Sequence, residues 1–157
     1  QFNIEATVLI IDHNIFSLED LDLSWNQINQ IKSDSFSEST ELAVLNLNHN
    51  KMGKIFRENF EGLLNLGTLS ISDNELDTIS SDAFSSCPNL QTLDLSGNKL
   101  HSLGSNTFRG IKSSLSALKL PKHLHGSTPM RQLSNSWPLP PSLSLTTKVP
   151  PPITATV

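Results

Sequence analysis

Apolar residues recur along this chain on a grid that repeats every 24 positions. In one repeat the grid is occupied by five leucines, which are Leu90, Leu93, Leu95, Leu100 and Leu103. The segments that begin at residues 18, 42 and 66 keep the same spacing, with Ile or Met in some of the leucine positions. A fixed period of this length is the sequence signature of a solenoid built from stacked coils.

Each repeat contains a stretch in which apolar and polar residues alternate. Residues 44–48 read Val-Leu-Asn-Leu-Asn, and residues 68–72 read Thr-Leu-Ser-Ile-Ser. This period of two predicts a half-buried β-strand. Strands one repeat apart must be parallel, because the rest of each repeat supplies the crossover. We therefore predict an α/β solenoid, a curved right-handed coil with a parallel sheet on its concave face and irregular or short helical segments on its convex side.

Two further columns of residues share the spacing of 24, one of asparagine and one of phenylalanine. We assign a structural role to all eight, which are Asn26, Asn50, Asn74, Asn98, Phe36, Phe60, Phe84 and Phe108. An asparagine amide both donates and accepts hydrogen bonds, so it can satisfy backbone groups where the strand turns and can stack on the next coil. The phenylalanines are expected to fill the opposite, wider side of each coil.

The first 17 residues fit only the front half of a repeat. They are predicted to form a partial repeat whose strand, at residues 8–11, begins the concave sheet. Asn14 and Asn26 are only 12 positions apart, so half a repeat is missing between them. Either that half has been deleted, or the chain makes an unusually tight coil at this point.

Four full repeats begin at residues 18, 42, 66 and 90, and a partial fifth begins at Leu115, so that the repeats span 18–120. Eight of the nine prolines then fall in 121–157, together with many Ser and Thr residues. Such a segment cannot bury enough apolar surface to offset its ordering entropy, so we predict a disordered tail over 121–157. Because the grid stops in mid-repeat, we expect a fragment of a longer protein, with a tail that is either its mucin-like stalk or sequence foreign to it.

Charge divides the chain into an acidic and a basic part. Residues 1–98 carry all 15 acidic residues and four basic ones, whereas residues 99–157 carry seven basic residues and no acidic one. A basic block can signal a nucleic-acid or membrane partner. Here the basic residues are scattered and no aromatic ladder accompanies them, so we expect no nucleic-acid partner. No apolar run approaches the roughly 20 residues of a membrane span, although the parent protein could be anchored elsewhere.

The sequence carries no pattern typical of an enzyme or of a cofactor site. It has no Gly-rich phosphate loop, and no nucleophile and base belong to a recognised motif. The single cysteine, Cys87, occupies a slot that Leu63 and Ile111 fill in neighbouring repeats, which favours a small buried hydrophobe over a reactive or metal-binding thiol. His123 and His125 are either two solvated histidines or a weak metal site.

The cellular compartment is left open by composition. The N-terminus lacks the pattern of a signal peptide, no Asn-x-Ser/Thr sequon is present, and one cysteine cannot form a disulfide within the chain. The proline runs at 138–141 and 150–152 would present a polyproline helix to an SH3-type domain if the tail were cytosolic.

The repeats resemble leucine-rich repeats, specifically the 24-residue form that closes with Phe. The motif L-x-x-L-x-L-x-x-N-x-L-x-x-L-x-x-x-x-F is found at 18–36, 42–60, 66–84 and 90–108. Toll-like receptor ectodomains, lamprey variable lymphocyte receptors and many extracellular adhesion proteins of animals use this form. The resemblance implies a fragment of an extracellular, Toll-like innate immune receptor that binds a protein or other macromolecular ligand. A secreted or matrix-associated adhesion protein and an intracellular scaffold are the alternatives.

The resemblance places partner binding on the exposed strand residues of the concave face. The predicted binding residues are Asp20, Asp22, Ser24, Trp25, Asn46, Asn48, Thr68, Ser70, Ser72, Thr92, Asp94 and Ser96. Val8, Ile10, Asp12 and Val44 are expected on the same face, and His49 beside Trp25 at its edge.

The aspartates of this face favour a basic partner, unless Leu-Asp-Leu-Ser is only the common filler of the repeat. Trp25 is either an exposed anchor for a partner or partly buried against the turn.

Overall fold

Short parallel strands, one or two in each coil, make up the regular structure of the chain. The computed structural model describes residues 8–9, 17–124 and 144–145. Within these ranges the strands are, in chain order, β1 (Val8–Leu9), β2 (Asp20–Asp22), β3 (Gln30–Ile31), β4 (Val44–Asn46), β5 (Lys54–Ile55), β6 (Thr68–Ser70), β7 (Thr78–Ile79), β8 (Thr92–Asp94), β9 (Ala117–Lys119) and β10 (Ser144–Leu145).

The principal sheet has six strands in the order β10-β9-β8-β6-β4-β2, and every neighbouring pair is parallel. Its central register joins Leu21, Leu45, Leu69, Leu93 and Leu118 in one buried row. The polar residues on either side of these leucines point outward, as the period-two alternation predicts. The stacked coils form a solenoid, so the predicted fold class is confirmed. We call the outward-pointing side of this six-stranded sheet the concave face.

The core is a continuous stack of apolar side chains behind the sheet. Phe36, Phe60, Phe84 and Phe108 are all buried. The Phe60 and Phe84 rings lie 6.2 Å apart between centroids, and the Phe84 and Phe108 rings lie 6.0 Å apart with planes only 5° from parallel. Phe60, Phe84 and Phe108 therefore stack on one another from repeat to repeat, and the phenylalanine column fills the side of the coils opposite the strands.

The convex side is irregular, with small two-stranded sheets and a few helical turns. β5 and β7 pair in parallel to form a two-stranded sheet. Three 3-10 helices are found, at Arg57–Phe60, Arg109–Ile111 and Lys122–Leu124, and the described residues contain no α-helix. Nothing helical in the described part of the chain has the length and apolar character needed to cross a bilayer.

The prediction that the first strand begins the concave sheet was wrong. β1 pairs with β3, Val8 with Gln30 and Leu9 with Ile31, and these two strands form a separate sheet. Only ten residues separate β1 from β2, fewer than the dozen or more that a parallel crossover needs. The chain between β1 and β3 is long enough to return in parallel. Ile10 and Asp12, predicted on the concave face, lie outside the described residues.

The end of the solenoid extends slightly beyond residue 120. Lys122–Leu124 form a 3-10 helix, and Pro121 and Leu124 are buried. Within the predicted tail, Ser144 and Leu145 pair as β10 with Ala117 and Leu118 of β9. The other tail residues lie outside the described ranges, so the division at 17 and 120 and the disorder of the tail stay predictions.

Candidate binding face

The outward side chains of the six-stranded sheet form two rows that cross the strands. The first row is Asp20, Val44, Thr68, Thr92 and Ala117, and the second row is Asp22, Asn46, Ser70, Asp94 and Lys119. Asp20 and Asp22 are exposed, whereas the Thr, Asn and Ser members are half-buried by their neighbours. The face thus offers closely spaced, small polar groups on a backbone fixed by the parallel ladder.

Several predicted binding residues also hold the turn that follows each strand. The carboxylate of Asp22 accepts a hydrogen bond from the backbone N–H of Ser24 at 2.9 Å, and Asp94 accepts the corresponding bond from Ser96 at 3.0 Å. Asn46 accepts from the N–H of Asn48 at 3.1 Å. Hydrogen bonds from the hydroxyl and the backbone N–H of Ser24 keep the pKa of Asp22 below its ordinary value. Asp22 therefore stays charged at neutral pH.

Four of the predicted serine and asparagine residues are buried or hydrogen-bonded within the protein itself. Ser24 and Ser72 are buried. The Asn48 side-chain oxygen accepts bonds from the Ser70 hydroxyl at 2.8 Å and from the Ser72 N–H at 2.7 Å. A ligand would reach Asn48 and Ser70 only by competing with these bonds.

One of the three aspartates of the face is neutralised by a lysine. The ammonium group of Lys119 donates to the carboxylate of Asp94 at 2.8 Å. Half-burial by itself raises the pKa of Asp94, but the bonds from Lys119 and Ser96 together outweigh it, and the net pKa lies below the ordinary value of 3.8. The acidic character of the face is therefore concentrated at β2, with Asp20 and Asp22.

A column of left-handed residues borders the face where the strands end. Trp25, His49, Asp73 and Gly97 have φ values of +59°, +55°, +53° and +69°. Each precedes an asparagine of the asparagine column, so the turn requires this conformation in every repeat. Trp25 is 67% exposed, which excludes burial against the turn. Its ring stacks on that of His49, with centroids 3.8 Å apart and planes 19° from parallel.

The asparagine column ties neighbouring coils together. The side-chain amide of Asn50 donates to the carbonyl of Leu47 in its own coil at 3.1 Å and to that of Leu23 in the preceding coil at 2.9 Å. Its oxygen accepts from the backbone N–H of Ile28 at 2.9 Å. Asn74 and Asn98 make the corresponding bonds one and two repeats later. These asparagines position the binding face without being part of it.

The next position of the asparagine column is taken by His123, which is exposed. Its Nε2 hydrogen-bonds to the backbone carbonyl of Leu100, so this nitrogen carries the proton. The ring lies 6.3 Å from that of His101. Across the described ranges, no three His, Cys, Asp or Glu side chains are grouped in a way that could hold a metal ion. His125 lies outside the described residues.

Cys87 lies in the core, as its slot in the repeat predicts. Desolvation by burial raises the pKa of its thiol to about 12. The thiol is therefore uncharged at neutral pH and packs as a small apolar side chain.

The convex side contains a recess that the sequence did not indicate. It has a volume of about 360 Å³ and is lined by Asn29, Gln30, Ile31, Gly53, Lys54, Phe56 and Asn59. Asn59 bridges its wall, donating to the carbonyl of Ile31 at 2.8 Å and accepting from the N–H of Phe56 at 2.7 Å. The buried amide of Asn59 is thus already used in joining two coils.

Parallel strands at a constant repeat, an asparagine ladder and a phenylalanine column define a solenoid repeat protein of the protein-interaction class. A family model described as leucine rich repeat matches residues 16–76, 40–100 and 65–122. The chain belongs to the leucine-rich repeat family.

Solved structures with the same fold include ectodomains of Toll-like receptors. The crystal structure of a TLR13–ssRNA13 complex is 36% identical over 68% of this chain, with a TM-score of 0.62. The Toll–Spatzle complex, described as a hub in Drosophila development and innate immunity, is 30% identical over 69% of this chain, also with a TM-score of 0.62. The chain spans only 15% and 16% of the lengths of these two proteins. Comparison with curated protein sequences gives no match.

One of these neighbours is an RNA complex, which conflicts in part with the expectation that nucleic acid is not a partner. Membership of this family is therefore no ground for excluding RNA. The expectation itself was based on the scattered basic residues and the lack of an aromatic ladder, not on the family.

Proposed function

We propose that this chain is a recognition module of an extracellular or cell-surface receptor of the Toll type, binding a macromolecular ligand non-covalently through its concave face. The observation that carries the proposal is the pair of outward rows on the six-stranded sheet, which are accessible and held at fixed spacing. Extended concave surfaces of this kind are what solenoid proteins use for binding.

The face is preorganised, which favours recognition over catalysis. Parallel pairing fixes its backbone, and the side chains of Asp22, Asn46 and Asp94 hold the turns after β2, β4 and β8. A surface that is already ordered loses little conformational entropy when a ligand binds. The same surface carries small hydroxyl and amide groups, which suit hydrogen bonds to a partner rather than proton transfer at a reacting centre.

A protein ligand with basic character fits this face better than RNA. The two neighbours are complexes with a single-stranded RNA and with Spatzle, so both ligand classes are represented among similar folds. In this chain, Asp20 and Asp22 are exposed at the β2 end of the two outward rows. Carboxylates repel phosphates and attract lysine and arginine, which favours the protein class.

The proposal is tested by blocking the face with a glycan. Thr68→Asn creates the sequon Asn-Leu-Ser at positions 68–70, in the centre of the concave face, when the chain is secreted from eukaryotic cells. Ser105→Asn creates Asn-Asn-Thr at 105–107, on the exposed turn of the convex side, and is the matched control. Peptides selected on the unmodified chain from a displayed random library are then titrated against both glycoforms.

We expect the concave glycan to weaken binding of the selected peptides by about tenfold or more, and the convex glycan to leave it unchanged. Replacing Asp20 and Asp22 by Lys should weaken the binding of basic peptides more than that of other peptides. Equal binding to the two glycoforms would overturn the proposal. If the lysine replacements change no affinity, the aspartates are only the common filler of the repeat and the preference for a basic partner fails.

A further inference from the structure

We propose that Trp25, supported by His49, is the docking platform for a cationic side chain of the protein ligand, arginine above lysine. This inference rests on the proposed function and adds to it a specific site and the chemistry of the group that occupies it. The platform lies where β2 turns into the convex side of its coil, next to the most acidic strand of the concave face.

The conformation of Trp25 is the first reason to assign it a role. Its φ of +59° is a left-handed value that a bulky residue adopts at a cost of about 1–2 kcal/mol. The same position in the other repeats holds His49, Asp73 and Gly97, of which Gly removes the cost and His and Asp are enriched in this region. A tryptophan here gains no core packing in return, since it is 67% exposed. The turn requires the left-handed conformation in every repeat but does not require a tryptophan, so folding leaves the choice of an exposed indole at this position unexplained.

The rigidity of the ring is the second reason. The indole of Trp25 stacks on the imidazole of His49 at 3.8 Å, and Nε2 of His49 lies 3.7 Å from a carboxylate oxygen of Asp73. The backbone N–H groups of Trp25 and His49 also donate to carbonyls of the next coil, both at 3.0 Å. The ring is thus held in place before a ligand arrives, so that binding on it costs little side-chain entropy.

The charges around Trp25 select the ligand. Asp20 and Asp22 belong to the same coil, and within residues 17–124 no ion pair involves either carboxylate. The ammonium group of Lys51, two residues after His49 in the chain, donates to the side-chain oxygen of Gln27 at 3.1 Å. An aromatic face in the same coil as carboxylates that form no ion pair attracts a cation, and arginine gains most because its planar guanidinium stacks on an aromatic ring and also forms bidentate hydrogen bonds with carboxylates.

The same aromatic platform could in principle stack a nucleic-acid base. Base stacking on tryptophan would bring phosphates close to Asp20 and Asp22, and the repulsion acts against it. The observations therefore favour a basic protein segment, and RNA becomes an outcome of the test.

The test uses a hexa-arginine peptide as probe and the full chain carrying Trp137→Phe, so that Trp25 is the only tryptophan. Titration at low ionic strength is followed by Trp25 fluorescence and by calorimetry. We expect saturable binding that weakens with salt and is stronger than that of hexa-lysine. A single-stranded RNA oligonucleotide is titrated in parallel, and we expect it to bind more weakly than the peptide.

The variants separate the aromatic and the acidic contributions. By calorimetry, Trp25→Ala should lose about tenfold in affinity, and Trp25→Phe should keep most of it because the stack on His49 is retained. The double change Asp20→Asn with Asp22→Asn should weaken binding several-fold. The control double change Glu58→Gln with Glu61→Gln removes the same charge from the exposed convex side and should change the affinity less than about twofold.

Two results overturn the inference. One is an affinity for hexa-arginine that is unchanged in Trp25→Ala, which would show non-specific attraction to acidic residues. The other is preferential binding of the RNA in a manner that depends on Trp25. If Trp25→Ala unfolds, Trp25→Gly, which removes the ring and adopts the left-handed conformation without strain, takes its place. Peptides that are blocked by the glycan at position 68 but insensitive to Trp25 would refute this inference and leave the proposed function standing.

Discussion

The side-chain oxygen of Asn74 accepts a hydrogen bond from the backbone N–H of Met52 at 3.0 Å, although 22 residues separate them in the chain. The amide of the same side chain donates to the carbonyl of Leu47 at 2.9 Å and to that of Ser72 at 3.1 Å. All of these groups are away from solvent, so one asparagine satisfies buried backbone atoms of two consecutive coils.

Replacing Asn74 by Ala should therefore lower the free energy of unfolding by about 1–3 kcal/mol, because buried partners lose their hydrogen bonds. Chemical denaturation followed by circular dichroism measures the change. Asn65→Ala, at an exposed position, serves as the control and should have almost no effect. Equal denaturation midpoints for the two variants would show that the asparagine column does not stabilise the stacked coils.

Phe84→Ala should be more severe, lowering the free energy of unfolding by about 3–5 kcal/mol. The ring is fully buried between Phe60 and Phe108, so its removal leaves a cavity in the middle of the aromatic column. Phe56 is 46% exposed, and Phe56→Ala is the matched comparison with a clearly smaller loss. Similar losses for the two variants in equilibrium denaturation would contradict a continuous core column.

Gly97→Ala tests the left-handed column. A Cβ at this position would lie 2.1 Å from a carboxylate oxygen of Asp73, and φ is +69°. We expect a cost of about 1–2 kcal/mol from the backbone conformation and a further cost from displacing Asp73. In an Asp73→Ala background only the backbone cost should remain.

Gly53→Ala is the counterpart for that experiment, since a Cβ there meets no atom within 4 Å. Its stability should be equal to that of the natural sequence or up to about 1 kcal/mol higher. If both glycine replacements behave alike in thermal melts, the crowding at Asp73 is not significant.

The pair of Asp94 and Lys119 should make part of the stability depend on pH. The net pKa of Asp94 is lowered in the folded chain, so its contribution is present above 3.8 and is lost as the pH falls through the folded-state pKa. Lys119→Met should therefore be destabilised most near neutral pH and should approach the natural sequence in strong acid. Lys99→Met breaks a pair with Glu75 in which both side chains are more than half exposed, and it should show little of this effect. Parallel urea titrations at several pH values would measure both.

The strands, the buried leucines and the two structural columns could be predicted from sequence because each depends on position within a fixed repeat. Leu45 is buried and Val44 is exposed because successive side chains of a strand point to opposite faces of the sheet. Which backbone the first strand pairs with could not be predicted in this way, because the incomplete first repeat breaks the period. β1 consequently paired with β3 rather than with β2.

The side-chain contacts of the face were harder to predict than its composition. Asp94 and Lys119 are 25 positions apart rather than 24, because the fifth repeat is one residue late, and a strict period does not bring them together. The stack of Trp25 on His49 depends on the left-handed turn, which places both rings along one edge. The spacing of the sequence does indicate that Trp25 and His49 are neighbours, because residues 25, 49, 73 and 97 each precede an asparagine of the asparagine column.

Besides bonds within their own coils, Asn50, Asn74 and Asn98 each bond to the preceding coil, and within residues 17–124 none of their side chains bonds to the following coil. The stack therefore has a mechanical polarity. Removing the last coil deprives only its immediate predecessor of partners, and that loss is not passed further along the chain until the predecessor itself opens. Under tension applied at the C-terminal end, we expect the coils to separate one at a time. His123, which holds the asparagine position of the last coil, bonds to the preceding coil through an imidazole instead of an amide.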